Sequence, residues 1–359
     1  MNKLKFYGLG LAGIISVLFL SGCSLGNFNS SANLKTNGGV WLSQNSGNNF
    51  AQASDLLTTK GKIASFGGLA LNRLVFDPQD NKTIYALTQG NGIFYTLDAG
   101  ASWRQFGSVA KGNIVSLAVD HNNKCVVYFI ADNKLFKSSN CGRDTSEMYY
   151  HQKTKVILTA LAVSQISGEV YLGTSDGEIL KSVDGGQNWA TVMREKNDRI
   201  ADIVIDFADA KKLYVATLKN GIFKSIDAGD SWRSLGDGLK SYIGSHEYRQ
   251  LSLMPATADG LILVSKFGLL KSTDGGDSWQ VIEILPESKK TSILALAINP
   301  KDSNEFYYAT LNSLVKTVDG GVKWSSKKLP FSVDYQTNGL FVSNDNPAYV
   351  YLINQPIKK

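Results

Sequence analysis

Five aspartates recur in one short pattern, and they are the residues of this 359-residue chain best placed to do chemistry. Each stands third in Ser/Thr-x-Asp-x-Gly-x-x-Trp, and the segments are 96–103, 182–189, 225–232, 272–279 and 317–324. A carboxylate can take part in acid–base catalysis, or it can accept hydrogen bonds from N–H groups of its own turn. Five equivalent copies favour the second role, because one reaction centre does not need five. We predict structural roles for Asp98, Asp184, Asp227, Asp274 and Asp319.

The rest of the pattern predicts a hairpin turn between two short strands. The fifth residue is always glycine, which supplies the positive φ that tight turns need. The serine or threonine hydroxyl can hydrogen-bond to the backbone of the turn. Two worn copies, 43–50 and 138–145, lack both the aspartate and the tryptophan. We expect the tryptophan to pack across the turn onto the next repeat unit, and the residues concerned are Trp103, Trp189, Trp232, Trp279 and Trp324.

Other catalytic or metal-binding patterns are absent from the sequence. His121, His151 and His246 lie in separate repeats without ligand spacing, so neither a metal site nor a cofactor is predicted. A glycoside hydrolase would need two carboxylates about 5–10 Å apart. No pattern pairs the loop candidates, which are Asp55, Asp198, Asp237, Glu247 and Glu287.

Cys125 and Cys141 lie on either side of a turn near residues 132–133. We expect them to be close to cross-strand opposites, and outside the cytoplasm such a pair can oxidise. Cys141 belongs to the worn copy at 138–145, so the hypothesis is a disulfide that staples this repeat. Two buried free thiols are the alternative.

The seven copies define a repeat architecture. They start at residues 43, 96, 138, 182, 225, 272 and 317, which are 42 to 53 residues apart, a period typical of propellers and solenoids. Each full repeat reads as four short strands separated by Gly, Asn and Asp turns, which indicates an all-β radial fold. The frames are 70–106, 112–150, 156–193, 200–235, 248–282 and 292–328.

The two chain ends supply complementary halves of one more repeat. Residues 38–45 and 48–53 read as a third and a fourth strand, whereas 339–344 and 348–354 read as a first and a second strand. Pairing the ends would leave no sheet edge exposed. We therefore predict a single seven-bladed β-propeller of four-stranded blades over residues 38–359, closed by a blade shared between the N- and C-termini.

Chain direction sorts the loops onto two faces. One carries the aspartate turns and the loops between first and second strands; the other carries the blade-to-blade crossings and is more basic. Loops on a rigid scaffold commonly carry function, and a basic face suits an acidic partner surface. Solvated lysines are the plain alternative, and Tyr242 either anchors a partner or covers a blade edge. The candidate partner-binding residues are Lys153, Lys155, Arg194, Lys196, Arg199, Lys240, Tyr242, Arg249, Lys289 and Lys290.

The first residues resemble a bacterial lipoprotein signal. Lys3 and Lys5 precede an apolar run at 9–20, and Leu-Ser-Gly-Cys follows at 20–23. This predicts a signal peptide at 1–22, a lipidated Cys23 with a flexible tether at 23–37, and a membrane-anchored location in the cell envelope, facing the periplasm or exterior. An ordinary secretory signal is the alternative. The formal charge of +6 is mild, so no nucleic-acid partner is expected.

The repeated pattern resembles the Asp-box, or BNR repeat, of sialidases, xyloglucan-cleaving glycosidases, sortilin-type receptors and the photosystem II stability/assembly factor family. The chain is similar to the last of these in size, blade count and lipobox. That resemblance implies a lipid-anchored propeller that binds partner proteins without catalysis, as a scaffold or assembly factor. The alternative is a glycan-binding or glycoside hydrolase propeller, sialidase-like or xyloglucanase-like.

Overall fold

A computed structural model describes residues 37–57, 64–109, 111–285 and 292–357. Within these ranges the chain is almost entirely β-strand, with one short helix, α1 at Gly236–Leu239. No helix in this described part is long and apolar enough to span a membrane. The strands are β1 Gly39–Ser43, β2 Ala51–Gln52, β3 Asp55–Leu56, β4 Ala64–Ser65, β5 Leu71–Asp77, β6 Asp80–Gly90, β7 Ile93–Thr96, β8 Arg104–Gln105, β9 Gly112–Val119, β10 Val127–Ala131, β11 Lys134–Ser138, β12 Ser146–Tyr150, β13 Leu158–Val163, β14 Val170–Thr174, β15 Glu178–Ser182, β16 Ala190–Arg194, β17 Ile200–Ile205, β18 Leu213–Thr217, β19 Ile222–Ser225, β20 Arg233–Ser234, β21 Tyr248–Leu253, β22 Leu261–Ser265, β23 Leu269–Ser272, β24 Gln280–Ile282, β25 Ala295–Asn299, β26 Asp302–Ala309, β27 Ser313–Thr317, β28 Ser325–Lys328, β29 Tyr335–Val342 and β30 Val350–Pro356.

Most of these strands form antiparallel sheets of four in chain order. Separate sheets contain β13–β16, β17–β20, β21–β24 and β25–β28. Strands β5–β8 and β9–β12 form two further sets of four, joined into one sheet where Gln89 and Gly90 pair with Asn113 and Gly112. The prediction of an all-β chain built from four-stranded sheets is confirmed.

The two ends of the chain share one sheet, with the strand order β2-β1-β30-β29. Val40 pairs with Ile353 and Trp41 pairs with Leu352 in the antiparallel ladder between β1 and β30. The N-terminal strands therefore occupy the third and fourth positions of this sheet, and the C-terminal strands occupy the first and second positions.

The apolar core lies between neighbouring sheets and is built mainly on second strands. Every residue of β10, β14, β18 and β22 is buried. Side chains on both faces of a strand are covered when the strand lies between two other sheets, which explains these continuous apolar runs.

The tryptophans of the turns pack against the preceding sheet, so the prediction that they contact the following unit is wrong. Trp103 lies in one cluster with Val40 and Tyr351 of the sheet formed by the chain ends. Trp279 similarly clusters with Tyr214 and Leu235 of the sheet before its own. Trp279 stands directly before the fourth strand β24, and its indole folds back over its own turn, where Nε1 donates to the Gly276 carbonyl at 3.0 Å. That orientation directs the ring towards the preceding sheet.

Tyrosines on two second strands, Tyr171 on β14 and Tyr351 on β30, link their sheets to the turn of the sheet that follows. The Tyr171 hydroxyl and the Lys181 ammonium both donate to the carbonyl of Ala228, each at 2.9 Å. Tyr351 donates in the same way to the carbonyl of Ala99 at 2.9 Å. In both cases the acceptor is the fourth residue of the Ser/Thr-x-Asp-x-Gly-x-x-Trp segment. We call this contact the tyrosine latch; it satisfies a turn carbonyl that the turn itself leaves unpaired.

Candidate binding face

The aspartate turns are hydrogen-bonded networks, which accounts for their residue pattern without catalysis. In the segment 272–279 the buried Ser272 hydroxyl donates to Asp274 (2.7 Å) and accepts the N–H of Gly276 (2.8 Å). Asp274 also accepts the N–H of Ser278 (2.9 Å) and its hydroxyl (2.5 Å). The worn copies keep this geometry with a side-chain amide, since Asn140 accepts the N–H of Asp144 at 2.9 Å. A carbonyl oxygen at the third position is therefore sufficient to hold the turn.

These networks keep the aspartates ionised. Hydrogen bonds from the hydroxyl and the N–H of Ser231, and then from the Ser225 hydroxyl, lower the pKa of Asp227 to about 2. The backbone and side-chain N–H groups of Asn188 have the same effect on the pKa of Asp184, which falls to about 2. A general acid needs a raised pKa, so these carboxylates are poor candidates for that role.

Backbone strain in the turns falls on two consecutive residues. The fifth position is glycine in all seven copies, with φ between +78° at Gly47 and +98° at Gly321 in the first and last copies. The fourth position is left-handed too, even where it is not glycine, as at Ala228 (φ +60°) and Cys141 (φ +57°). The sequence predicted only the first of these two constraints.

Cys141 is joined to Cys125 by a disulfide in the structure, with Cα atoms 4.1 Å apart. The N–H of Cys141 also donates to the Cys125 carbonyl at 3.0 Å. The link ties the worn turn to the loop between β9 and β10.

On the opposite side of the sheets lie the loops between second and third strands and the crossings from one sheet to the next; we call this side the crossing face. The predicted binding residues that the structure describes all lie on it, but their environments differ. Lys153 binds Asp176 (2.9 Å) and Glu178 (3.3 Å), and Lys240 binds Asp237 (2.6 Å). Arg194 lies 3.4 Å from Glu178.

Arg249 contacts only neutral groups within the described ranges, and three other predicted binding cations, Lys155, Lys196 and Arg199, have no acidic partner there. These three lie in the two successive crossings that follow β12 and β16. Lys289, Lys290 and Cys23 fall outside the described residues, as does Glu287.

Tyr242 covers a sheet edge and is not an exposed anchor. Its hydroxyl donates to the Trp279 carbonyl at 2.5 Å, and its ring lies 5.2 Å from that of Phe267. The neighbouring Ile243 is 92% exposed at the tip of the same crossing. The tyrosine therefore fixes the crossing, and the isoleucine next to it is the apolar side chain offered to solvent.

Three of the loop carboxylates considered for catalysis, Asp198, Asp237 and Glu247, have structural partners. Asp198 is buried and accepts the N–H groups of Lys219 (2.9 Å) and Asn220 (2.7 Å). Asp237 and Glu247 form ion pairs with Lys240 and Lys266. Asp55 lies in the two-stranded ribbon of β3 and β4.

A cluster of charged side chains that the sequence analysis missed joins two sheets on the crossing face. His151, Asp176 and Glu178 approach one another within 4.8 Å, the sort of grouping that can hold a metal ion. Lys153 already occupies the space between the carboxylates. The N–H of Lys153 also donates to His151 Nδ1 at 3.2 Å, which leaves the neutral imidazole proton on Nε2, facing Glu178. This tautomer opposes metal binding through Nε2, so the cluster fits an ion-pair network better.

A second missed feature is a cavity of 390 Å³ lined by first strands of five sheets: β5, β17, β21, β25 and β29. First strands begin at the crossing face, so the early residues Arg73, Asp202 and Arg249 lie at its mouth. Phe76 and Phe341, later in their strands, lie deeper. The available signal was positional: each charged residue is second or third in its first strand.

Comparisons with known proteins agree with the fold. Residues 38–165 match the model of a family described as sortilin, neurotensin receptor 3. No curated protein sequence matches the chain. A GH74 enzyme of Niastella koreensis is similar in structure, with 15% identity and a TM-score of 0.63 over 80% of this chain and 51% of that one. The chain thus spans about half the length of that enzyme.

Two structures of YCF48 are also similar. YCF48 from Cyanidioschyzon merolae has 15% identity and a TM-score of 0.59 over 80% of this chain and 95% of its own. YCF48 bound to D1 peptide has 14% identity and a TM-score of 0.62 over 81% and 94%. At such identities the likeness concerns the fold alone, and it places the chain among the β-propellers.

Proposed function

We propose that this chain is a non-catalytic lipoprotein whose seven-bladed propeller binds a partner protein through the crossing face, as photosystem II assembly-factor-like proteins do. Cys23 would carry the lipid anchor in the cell envelope, and residues 23–37 would form the tether. The chain enters β1, a third strand, from the crossing face, so the tether would leave the propeller on the side proposed for binding.

A closed ring of seven blades, built on Asp-box turns, is part of the proposal. The six sets of four strands and the shared sheet of the chain ends are seven four-stranded units, which supports seven blades. Two contacts support closure on either side of the shared sheet. Tyr351 latches the turn at Ala99 of the next sheet, and Lys327 Nζ on β28 donates to the side chain of Asn48 at 2.7 Å.

The observation that carries the binding role is the uncompensated positive charge of Lys155, Lys196 and Arg199 on the loop-bearing face. Cations that lack an ion-pair partner can form ion pairs with an acidic surface of another protein, and they raise the rate of association with that protein. The exposed Ile243 adds an apolar contact on a rigid crossing. The YCF48 structure with D1 peptide supports a protein partner by analogy of fold.

Charge reversal tests the binding face. We would replace Lys155, Lys196 and Arg199 by Glu and compare a matched variant in which Lys82, Lys211 and Lys323 of the turn face are replaced by Glu. The lipoproteins would be captured from membranes and their partners quantified. The crossing-face variant should lose its partner, and the turn-face variant should keep it. Equal retention by both variants would contradict the proposal.

A second candidate function is action on a glycan, favoured by the carboxylates of Asp176 and Glu178 and by the GH74 neighbours. Burial tends to raise the pKa of Asp176, but its bonds with Lys153 and Thr174 outweigh burial, so the pKa is lowered. Asp176 is therefore not poised as a general acid. Hydrolysis of a sialoside or β-glucan by the purified protein would establish this alternative and overturn the scaffold.

A further inference from the structure

The cavity at the centre of the five first strands has charged residues at its mouth and both aromatic and polar side chains further in. Arg73, Asp202 and Arg249 lie at the mouth, whereas Phe76 and Phe341 lie deeper, 6.2 Å apart between ring centroids. Its 390 Å³ would hold an apolar group of roughly a dozen heavy atoms, and ligand pockets commonly start at about 300 Å³.

The positive charge at the mouth is only weakly compensated. Arg73 Nη1 lies 4.0 Å from Asp202 Oδ1, beyond hydrogen-bonding distance, and half of the arginine side chain is exposed. Arg249 donates to the Ser292 hydroxyl (2.9 Å) and the Ile293 carbonyl (3.0 Å), which are both neutral. Two guanidinium groups and one carboxylate thus line the same cavity, and planar N–H forks of this kind suit a second carboxylate.

Asp202 is fixed in position by other contacts. It accepts the Tyr248 hydroxyl at 3.2 Å and the N–H of Ile203 at 3.0 Å. It cannot swing towards Arg73 without losing these bonds, so the guanidinium stays available to a ligand.

Two amides at the mouth present hydrogen-bond acceptors. Asn338 donates through Nδ2 to the Leu71 carbonyl at 2.5 Å, and Asn72 donates through Nδ2 to the Ile114 carbonyl at 2.8 Å. These bonds fix both carboxamides, and among the described residues nothing donates to either Oδ1 atom. The free oxygens can accept N–H groups of a ligand.

We propose that this cavity binds the C-terminal end of a partner polypeptide, with the terminal carboxylate held by Arg73 and Arg249 and an apolar last side chain against Phe76 and Phe341. The oxygens of Asn72 and Asn338 accept backbone N–H groups of the last residues. A fatty acid shares the carboxylate and the apolar tail but has no N–H donors. The inference rests on the proposed protein-binding function and specifies the part of the partner that is recognised.

Fluorescence anisotropy with an N-terminally labelled pentapeptide ending in Phe tests the site. The free acid should bind about tenfold to a hundredfold more tightly than the C-terminal amide, because hydrogen bonds to a charged group are lost in the amide. Arg73→Gln should weaken binding of the acid by about tenfold or more, and Arg104→Gln, on the exposed outer strand β8, should leave it unchanged.

Asp202→Asn should change the affinity for the peptide acid in the opposite direction to Arg73→Gln. Removing the competing carboxylate should tighten binding of the acid by about twofold to fivefold, which a folding defect would not do. Melting temperatures of all variants establish that each is folded. Equal affinity for acid and amide, an unaffected Arg73→Gln variant, or octanoate displacing the peptide at the peptide's own affinity would each overturn the assignment.

The two proposals fail separately. If acid and amide bind equally while charge reversal of Lys155, Lys196 and Arg199 still abolishes partner capture, the cavity is not the recognition site and the scaffold role stands. If the peptide behaves as expected but partner capture is unaffected by charge reversal, the crossing-face cations are not the docking surface.

Discussion

Ring closure can be tested by comparing two equivalent leucines, one in the shared sheet and one in an interior sheet. Leu352 on β30 and Leu172 on β14 are both completely buried second-strand residues. Each contacts strands on both sides: Leu352 pairs with Trp41 and Leu340, and Leu172 pairs with Leu161 and Leu180. Replacement by alanine removes the same atoms from similar surroundings.

The expected magnitude follows from burial and chain size. A buried Leu→Ala change costs about 2–5 kcal/mol. An unfolding entropy of about 2.1 cal/mol/K per residue over about 320 residues amounts to roughly 0.7 kcal/mol/K. Each variant should therefore melt about 3–7 °C lower than the parent protein. If the ring is closed, Leu352→Ala should lower the main transition as much as Leu172→Ala does, because opening the shared sheet exposes its neighbours on both sides.

Calorimetry and amide hydrogen exchange would report the outcome. In a closed ring, Leu352→Ala should reduce protection across the whole propeller. An unchanged main transition, with protection lost only at residues 39–43 and 335–356, would show that the ends merely fray and would refute the reasoning. Deleting residues 335–359 should have a larger effect of the same kind.

Three further outcomes are expected. Thiol titration of the unfolded, unreduced mature protein should find neither Cys125 nor Cys141 free, and two reactive thiols would rule out the disulfide. Cys141→Ser should lower the free energy of unfolding by about 3 kcal/mol, which is the chain-entropy value for a loop of this length. Asp274→Asn should lower the melting temperature by under about 1 °C, because Asn140 holds the same turn geometry with an amide. Asp274→Ala should lower it by about 1–3 °C, because loss of a capping side chain costs about 0.5–2 kcal/mol. Equal losses in the two variants would mean that the turn needs the negative charge. The pKa of Asp227 is lowered to about 2 in the folded protein from an ordinary value of 3.8, so this carboxylate contributes stability above pH 4 that is lost as the pH falls towards 2. Urea midpoints measured at pH 5, 3 and 2 should therefore fall less steeply for Asp227→Asn than for the parent protein. Parallel curves would exclude Asp227 as a source of the pH dependence.

The sequence predicted much of the fold because the repeat is local. Glycine at the fifth turn position and the alternation of apolar residues set each hairpin within about 40 residues, and the observed strands lie close to the predicted frames. The half-repeats at the two ends also fell in the predicted strand positions. The direction of tryptophan packing was not predictable in this way, because it depends on how the fourth strand leaves the turn.

The candidate sites were harder to predict because their parts come from different repeats. His151 meets Asp176 and Glu178 only across a sheet boundary, and Arg73 meets Asp202 across a cavity that five sheets surround. No local spacing records such distances. Surface position could be read from chain direction, but whether a lysine is paired, as Lys153 is, or unpaired, as Lys196 is, depends on side chains in neighbouring loops.

The tyrosine latch has a consequence for how such a chain can grow. The donor pair, as in Tyr171 and Lys181, lies in one unit, and the acceptor carbonyl, as in Ala228, lies in the next. Tandem duplication of a gene segment therefore copies a donor and an acceptor together, and the new copy can bond to neighbours on both sides from the moment it appears. A unit transplanted alone into an unrelated protein would lack both partners. A duplicated repeat therefore carries the groups that bond to its neighbours on both sides. This favours growth of the chain by duplication within one gene over exchange of single repeats between genes.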